Sequence, residues 1–305
     1  MQSNRSLVGH LAAIFTITTW ATTFISIKVL LGVFSPVEIM VFRLVIGWLA
    51  LLIARPRWLK TRNLKEEGLM MLAGLSGVTL YSIFQNIALK YTLAANASVL
   101  ISISPFFMAV LSFWFLKDEK PRLRFFLGFM FAIIGIFLIS FNGRIELKLN
   151  PLGDLLALLA AVTWAIYSVV MRKISGLGYD NVLVTRRVFF YGVLFVLPFL
   201  GFFDFRLGME RFASLPTLLN MLFLGVVASA LCLASWNFAV GALGSIKTGI
   251  YIYLVPIITM LAAWLILGEG ISWMAGAGVG LILLGLLVSE GRLGLKAGAP
   301  RAASG

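Results

Sequence analysis

Residues 154–173 read DLLALLAAVTWAIYSVVMRK, twenty positions in which one acid leads, Arg-Lys closes and the interior is apolar. At a rise of about 1.5 Å per residue, twenty residues make a helix of about 30 Å, the thickness of a bilayer's hydrocarbon core. The centre of this stretch, Thr163-Trp164-Ala165, recurs 144 residues earlier as Thr19-Trp20-Ala21. A membrane span with a twin in the other half of the chain decides the fold.

Working outward, nine further stretches have the same character. The ten expected spans are 7–31, 36–54, 68–90, 95–116, 123–141, 154–173, 183–203, 215–240, 246–267 and 271–289. Strands are not credible here, because an open sheet edge is unsatisfied in lipid and these runs are too long for barrel staves. The first span is too long for a signal-peptide core and no small-residue cleavage site follows it. Composition agrees: 61% of the 305 residues are hydrophobic and 12% charged, about half the charged share of a soluble domain. The single cysteine, Cys232, excludes an intrachain disulfide and a multi-thiolate metal site, and the single histidine, His10, excludes a histidine-rich one. No metal or cofactor is expected.

The formal net charge of +13 suggests nucleic acid until its positions are read. Fifteen Lys and Arg fall in the N-terminus, in the loops after spans 2, 4, 6 and 8, and in the C-terminus; five fall in the opposite loops. Such a bias sets orientation, so both termini are expected in the cytoplasm and the nucleic-acid reading falls away. The connections are too short for a separate soluble domain.

The halves match beyond Trp20 and Trp164. Arg43 meets Arg187 at the same offset of 144, and at an offset of 151 Asn86 meets Asn237 and Pro105 meets Pro256. Gly128 and Gly135 are echoed by Gly278 and Gly285. The order holds across all five helix pairs. Because five is odd, the second half enters from the face the first half left and lies upside down. The expected fold is therefore all-α integral membrane: ten transmembrane helices as two five-helix inverted-topology repeats around a central cavity. The expected units are a first repeat over 1–145, a second over 146–290, and a disordered cytoplasmic tail over 291–305. Inverted repeats are the usual basis of alternating access, with the substrate near the midplane.

These residues carry a resemblance. Paired Trp20 and Trp164, Arg43, the Ser104-Pro105 and Val255-Pro256 pairs, and the acids Asp118 and Glu269 beyond them are similar to the drug/metabolite transporter superfamily, in its ten-helix EamA-type branch. The family often has glycine after the first tryptophan, where Ala21 and Ala165 stand here. The resemblance covers nearly the whole chain. It implies helices 1–4 and 6–9 around the cavity with 5 and 10 peripheral, and export of amino acids, metabolites or drugs in many members, uptake in some.

Thr16, Thr19, Trp20 and Thr23 share one face of the first span, and Trp164 and Tyr167 share one of the sixth. Such a row either lines a wet cavity or bonds its own carbonyls so that helices pack closely; the spacing allows both. Tyr81, Gln85, Ser102, Trp236 and Tyr251 complete the candidate cavity set. Asn86 and Asn237 read as interhelix ties, since amides in hydrocarbon need partners. Pro105 and Pro256 take helix bonds from the carbonyls of Ile101 and Ile252, freeing acceptors for a substrate or shaping a hinge. Arg43 lies several residues inside its helix with no evident carboxylate partner. It either caps carbonyls of a neighbour or attracts an anionic substrate group. Lys28, Arg186 and Lys247 read as cations snorkelling to the interface.

No Asp or Glu lies at the centre of any span, which disfavours a proton antiporter built on a buried carboxylate. No metal cluster, nucleophile triad or paired carboxylates suggests an enzyme. The expected function is transport of a small amphipathic metabolite across the cell (inner or plasma) membrane, by export of amino acids or related compounds. The alternatives are uptake of a zwitterion or quaternary amine, held in an aromatic cage, and a receptor or scaffold. The expected partners are a small-molecule substrate and the bilayer; Gly276 and Gly280 form either a seam to a second copy or a contact with the fifth span of the same chain, and spacing allows both.

Overall fold

Helices begin where the sequence supplies caps. Ser35 and Glu38 form a reciprocal capping box around Pro36, and the side chains of Asn63, Asn150 and Asp180 each accept a backbone N–H from the following turn. The computed structural model describes residues 2–30, 32–91, 100–116, 121–141, 150–202, 205–267 and 272–290. The expected tail over 291–305 lies outside these residues, as do Asp118, Glu269 and the side chain of Lys28.

Ten helices cross between two faces: α1 (Gln2–Leu30), α2 (Pro36–Ala54), α3 (64–91), α4 (Ser104–Phe115), α5 (Leu123–Phe141), α6 (Pro151–Ser175), α7 (Asn181–Val196), α8 (Leu215–Leu243), α9 (245–267) and α10 (Trp273–Glu290). Among the described residues there is no strand. Four helices are less regular than the apolar runs alone suggest. In α3 and α8 the middle is π-helical, over Gly74–Leu80 and Phe223–Leu231, positions equivalent in the two repeats. A 3₁₀ turn, Tyr251–Leu254, interrupts α9 ahead of Pro256, and α7 ends in a 3₁₀ segment, Leu197–Phe202. The Ile252 carbonyl freed by Pro256 accepts the Val255 N–H, so it is not an open acceptor.

The repeats interlock. In the first, α1 packs on α8 and α9 of the second; in the second, α6 packs on α3 and α4 of the first. Glycines let the irregular helices approach. A Cβ on Gly225 would lie 2.5 Å from Ile46, and one on Gly47 3.0 Å from the Gly225 carbonyl; across the inversion, a Cβ on Gly192 would lie 2.3 Å from Val78 and one on Gly74 2.7 Å from the Val188 carbonyl. Thus α2 against α8 repeats as α7 against α3.

The pair α5 and α10 stands beside this bundle, joined through the contacts of Gly128 with Gly285 and Gly135 with Gly278. Gly276 and Gly280 are not part of that seam, since a Cβ at either meets nothing within 4 Å.

Candidate functional site

Where α1, α3, α6 and α8 converge, five aromatic rings meet. Trp20 stands edge-on to Trp164 with centroids 5.3 Å apart, and 5.4 Å from Trp236; Trp164 touches Trp236 at 5.8 Å, Tyr81 at 5.1 Å and Tyr167 at 5.1 Å. The repeat-related tryptophans therefore touch each other at the junction of the halves. The Trp20 indole N–H donates to the Ala228 carbonyl at 2.9 Å, within the π segment of α8, where the ladder is out of register.

The candidate cavity residues divide by burial. Tyr167 and Trp236 are fully buried, and Tyr167 donates to Asn237 Oδ1 at 2.6 Å while Asn237 Nδ2 donates to Thr185 at 3.0 Å. This tie joins α6, α7 and α8 beneath the rings. Thr16 is buried and donates to the Ala12 and Cys232 carbonyls, and Thr23 donates to the Trp20 carbonyl. Thr19 hydrogen-bonds the Cys232 thiol. The threonine row thus fastens helices. Trp20, Arg43, Tyr81 and Gln85 keep accessible surface, and the Tyr81 hydroxyl is hydrogen-bonded to Gln85. Ser102 is buried beside the break ahead of Pro105. Tyr251 lies apart from the rings, its hydroxyl 2.6 Å from His10 Nδ1. Asn86 is half-buried on α3.

Arg43 projects from α2 beside the cluster. Its Nε donates to Ser229 Oγ at 3.0 Å, one residue past the carbonyl that holds Trp20. The charged and titratable groups that bear on it are Tyr81 and Cys232, with no carboxylate among the described residues.

Each end of the bundle carries an ionic clasp absent from the candidates named above. On the face where α2 begins, Glu38 receives both terminal nitrogens of Arg211, at 2.9 and 3.1 Å, and the Arg206 N–H at 3.0 Å. The guanidinium of Arg211 also lies over the Phe34 ring, 4.5 Å from its centroid. Hydrogen bonding to the Glu38 carboxylate raises Arg211 above the usual guanidinium value. On the face where α1 begins, Arg187 Nε donates to Glu67 at 2.7 Å and Tyr191 donates to the same carboxylate oxygen. Alongside, Tyr179 donates to Glu66, whose hydrogen bond pushes the phenol up. Arg186 is 5% exposed and donates to the carbonyls of Arg55 and Arg57. It is a carbonyl clamp, not the snorkelling cation its terminal position suggests, because those two carbonyls end α2 within its reach. Lys247 is exposed, as expected. Glu38 in the first turn of α2 meets Arg211 ahead of α8, and Arg187 in α7 meets Glu67 in the first turn of α3, so the two clasps join the same helix pairs of the two repeats through different positions. A small open cleft on the α1 face is lined by Arg5, Ser175, Tyr179 and Asn181 and reaches Asn237.

Residues 7–141 and 151–290 each match the EamA-like transporter family. The chain belongs to that family. A relative in Archaeoglobus fulgidus, an uncharacterised transporter, is 31% identical over 290 residues, covering 93% of this chain and 97% of its own. A probable terminal-alkyne amino-acid exporter of Streptantibioticus cattleyicolor is 27% identical over 284 residues, covering 92% and 93%. One solved crystal structure superposes with a TM-score of 0.75 at 20% identity, over 95% of this chain and 97% of that one, which shows the shared fold. The chain is a membrane transporter of two EamA repeats, and the paired tryptophans and arginines lie where those repeats meet.

Proposed function

We propose that this transporter exports small amphipathic metabolites, amino acids among them, from the cytoplasm by alternating access between its two repeats. The observation that carries the reading is the pair of clasps, Glu38–Arg211 and Glu67–Arg187, at opposite ends of one aromatic cluster. They lie at opposite ends of two inverted repeats, so one end can open while the other stays shut. Both are closed in this structure. The Lys/Arg bias supports a plasma-membrane orientation with both termini in the cytoplasm, which makes the α1 face the inner one. The cleft reaching Asn237 is then the path inward, stopped by the Tyr167–Asn237–Thr185 tie. The amino-acid reading is supported by the exporter from Streptantibioticus cattleyicolor and by rings suited to an apolar side chain. We read the chain as a carrier, with no catalytic step.

Cross-linking tests this. In a Cys232→Ser background, cysteine pairs replace Glu38 with Arg211, or Glu67 with Arg187. Oxidation of either pair should stop flux of a labelled amino-acid mixture in proteoliposomes, and reduction should restore it. Flux that persists with either end covalently shut would reject alternating access.

A further inference from the structure

Arg43 is a permanent cation inside the protein, about 10 Å along α2 from its start at a rise of about 1.5 Å per residue. Such a group is costly in a membrane interior and is normally paired or hydrogen-bonded to completion. This one is not. Its Nε has Ser229, while its two terminal nitrogens have no hydrogen-bond partner among the described residues. It keeps accessible surface although protein surrounds it, so the surface it keeps is internal. Its repeat counterpart, Arg187, is satisfied by Glu67. The difference marks a position left open for an anion.

The chemistry narrows that anion. A guanidinium's planar fork matches the two oxygens of a carboxylate. A phosphate dianion calls for a second cation, and the groups bearing on Arg43 are a phenol and a thiol, both neutral. Ser229 holds Nε and fixes the plane of the fork, leaving its outer edge to the ligand. Tyr81 acts directly on Arg43, and Trp20 is held at Ala228, next to the Ser229 that holds Arg43, so two aromatic rings lie near the fork. Among the described residues, no carboxylate beside Arg43 waits for a substrate ammonium. We infer that Arg43 is the carboxylate anchor of this transporter, so that its substrates are small monocarboxylates with an apolar body, for which the amino group is dispensable. The inference rests on the transport reading and assigns the substrate class of that same site.

Purified full-length protein in nanodiscs is titrated with leucine, phenylalanine and propargylglycine, each beside its deaminated acid and its amide. Tryptophan emission reports binding, since three indoles meet at the site. The tightest acids should bind within about 10-fold of their deaminated counterparts, and their amides about 30- to 100-fold more weakly. Arg43→Lys should retain the order with lower affinity, and Arg43→Gln should abolish the acid–amide difference. The comparison within the wild type needs no variant, so a misfolded Arg43→Gln does not rescue the idea. A panel in which no acid binds more tightly than its amide overturns the anchor, as does Arg43→Gln that still discriminates. Saturable flux of the amides in proteoliposomes sinks the anchor and leaves the transport reading intact. Carboxylate-selective binding without flux of any compound sinks transport and leaves the anchor standing.

Discussion

Arg43 and Arg187 match in the sequence repeat, 144 residues apart, but the helix starts and contact glycines of α2 and α7 are 145 apart, and the surroundings of the two arginines are opposite. Arg187 lies at the end of the bundle, 2.7 Å from Glu67, with Tyr191 on the same carboxylate. Arg43 lies deep, with one serine hydroxyl and no carboxylate among the described residues. Inversion explains why the same side chain recurs; it does not make the two jobs alike. Helix α7 presents its arginine to the entry of α3, where Glu66 and Glu67 begin the helix. Helix α2 presents its arginine to the middle of α8, where the π segment places Ser229. One arginine is paired within the protein and the other keeps its two terminal nitrogens unbonded among the described residues. A repeat supplies two copies of a scaffold, and function enters where the copies differ.

The largest expected effect comes from removing that difference. Ser229→Asp gives Arg43 the built-in carboxylate that Arg187 already has. It should raise the melting temperature and lower carboxylate binding by about 100-fold, because the site is then occupied from within. Titration and a thermal melt of the same sample check both halves of the expectation. The reverse change, Glu67→Gln, leaves Arg187 without its charge partner. It should destabilise the protein by about 2–3 kcal/mol, less than the ~3–5 of a fully buried pair because Arg187 is 28% exposed. Denaturation in detergent reads this out, and an unchanged midpoint would show that the Glu67–Arg187 pair holds nothing together.

Smaller effects separate the packed junction from the outer surface. A Cβ on Gly77 would lie 2.2 Å from the Tyr167 ring, which is fully buried and tied to Asn237. Gly77→Ala should therefore cost about 2 kcal/mol through overpacking and lower flux with it. Gly276→Ala meets open space and should stay within about 0.5 kcal/mol of the parent in the same melt.

The ten helices and their inverted pairing were legible because hydropathy and repetition are written along the chain. Trp20 and Trp164 were legible as a repeat-related pair, while the contact between their rings came only from packing. The threonines were ambiguous for a physical reason. A hydroxyl on a helix face satisfies itself on a backbone carbonyl or on a ligand, and spacing is the same in both cases. Thr16 shows the first outcome, bonded to Ala12 and Cys232. Tyr251 has the right residue type but belongs with His10 at another place in the bundle. The clasps were invisible in the sequence. Glu38 and Arg211 are 173 residues apart, each reads as an ordinary helix-end or loop charge, and only packing brings them together.

The central claim is that one end opens only while the other is shut. Spin labels at Val33 and Met209 report the face where α2 begins, and labels at Lys60 and Lys173 the face where α1 begins, in nanodiscs with and without a bound amino acid. Under alternating access each pair samples a short and a long distance, and conditions lengthening one distance shorten the other. Both distances lengthening together, or neither changing through a transport cycle, would contradict it.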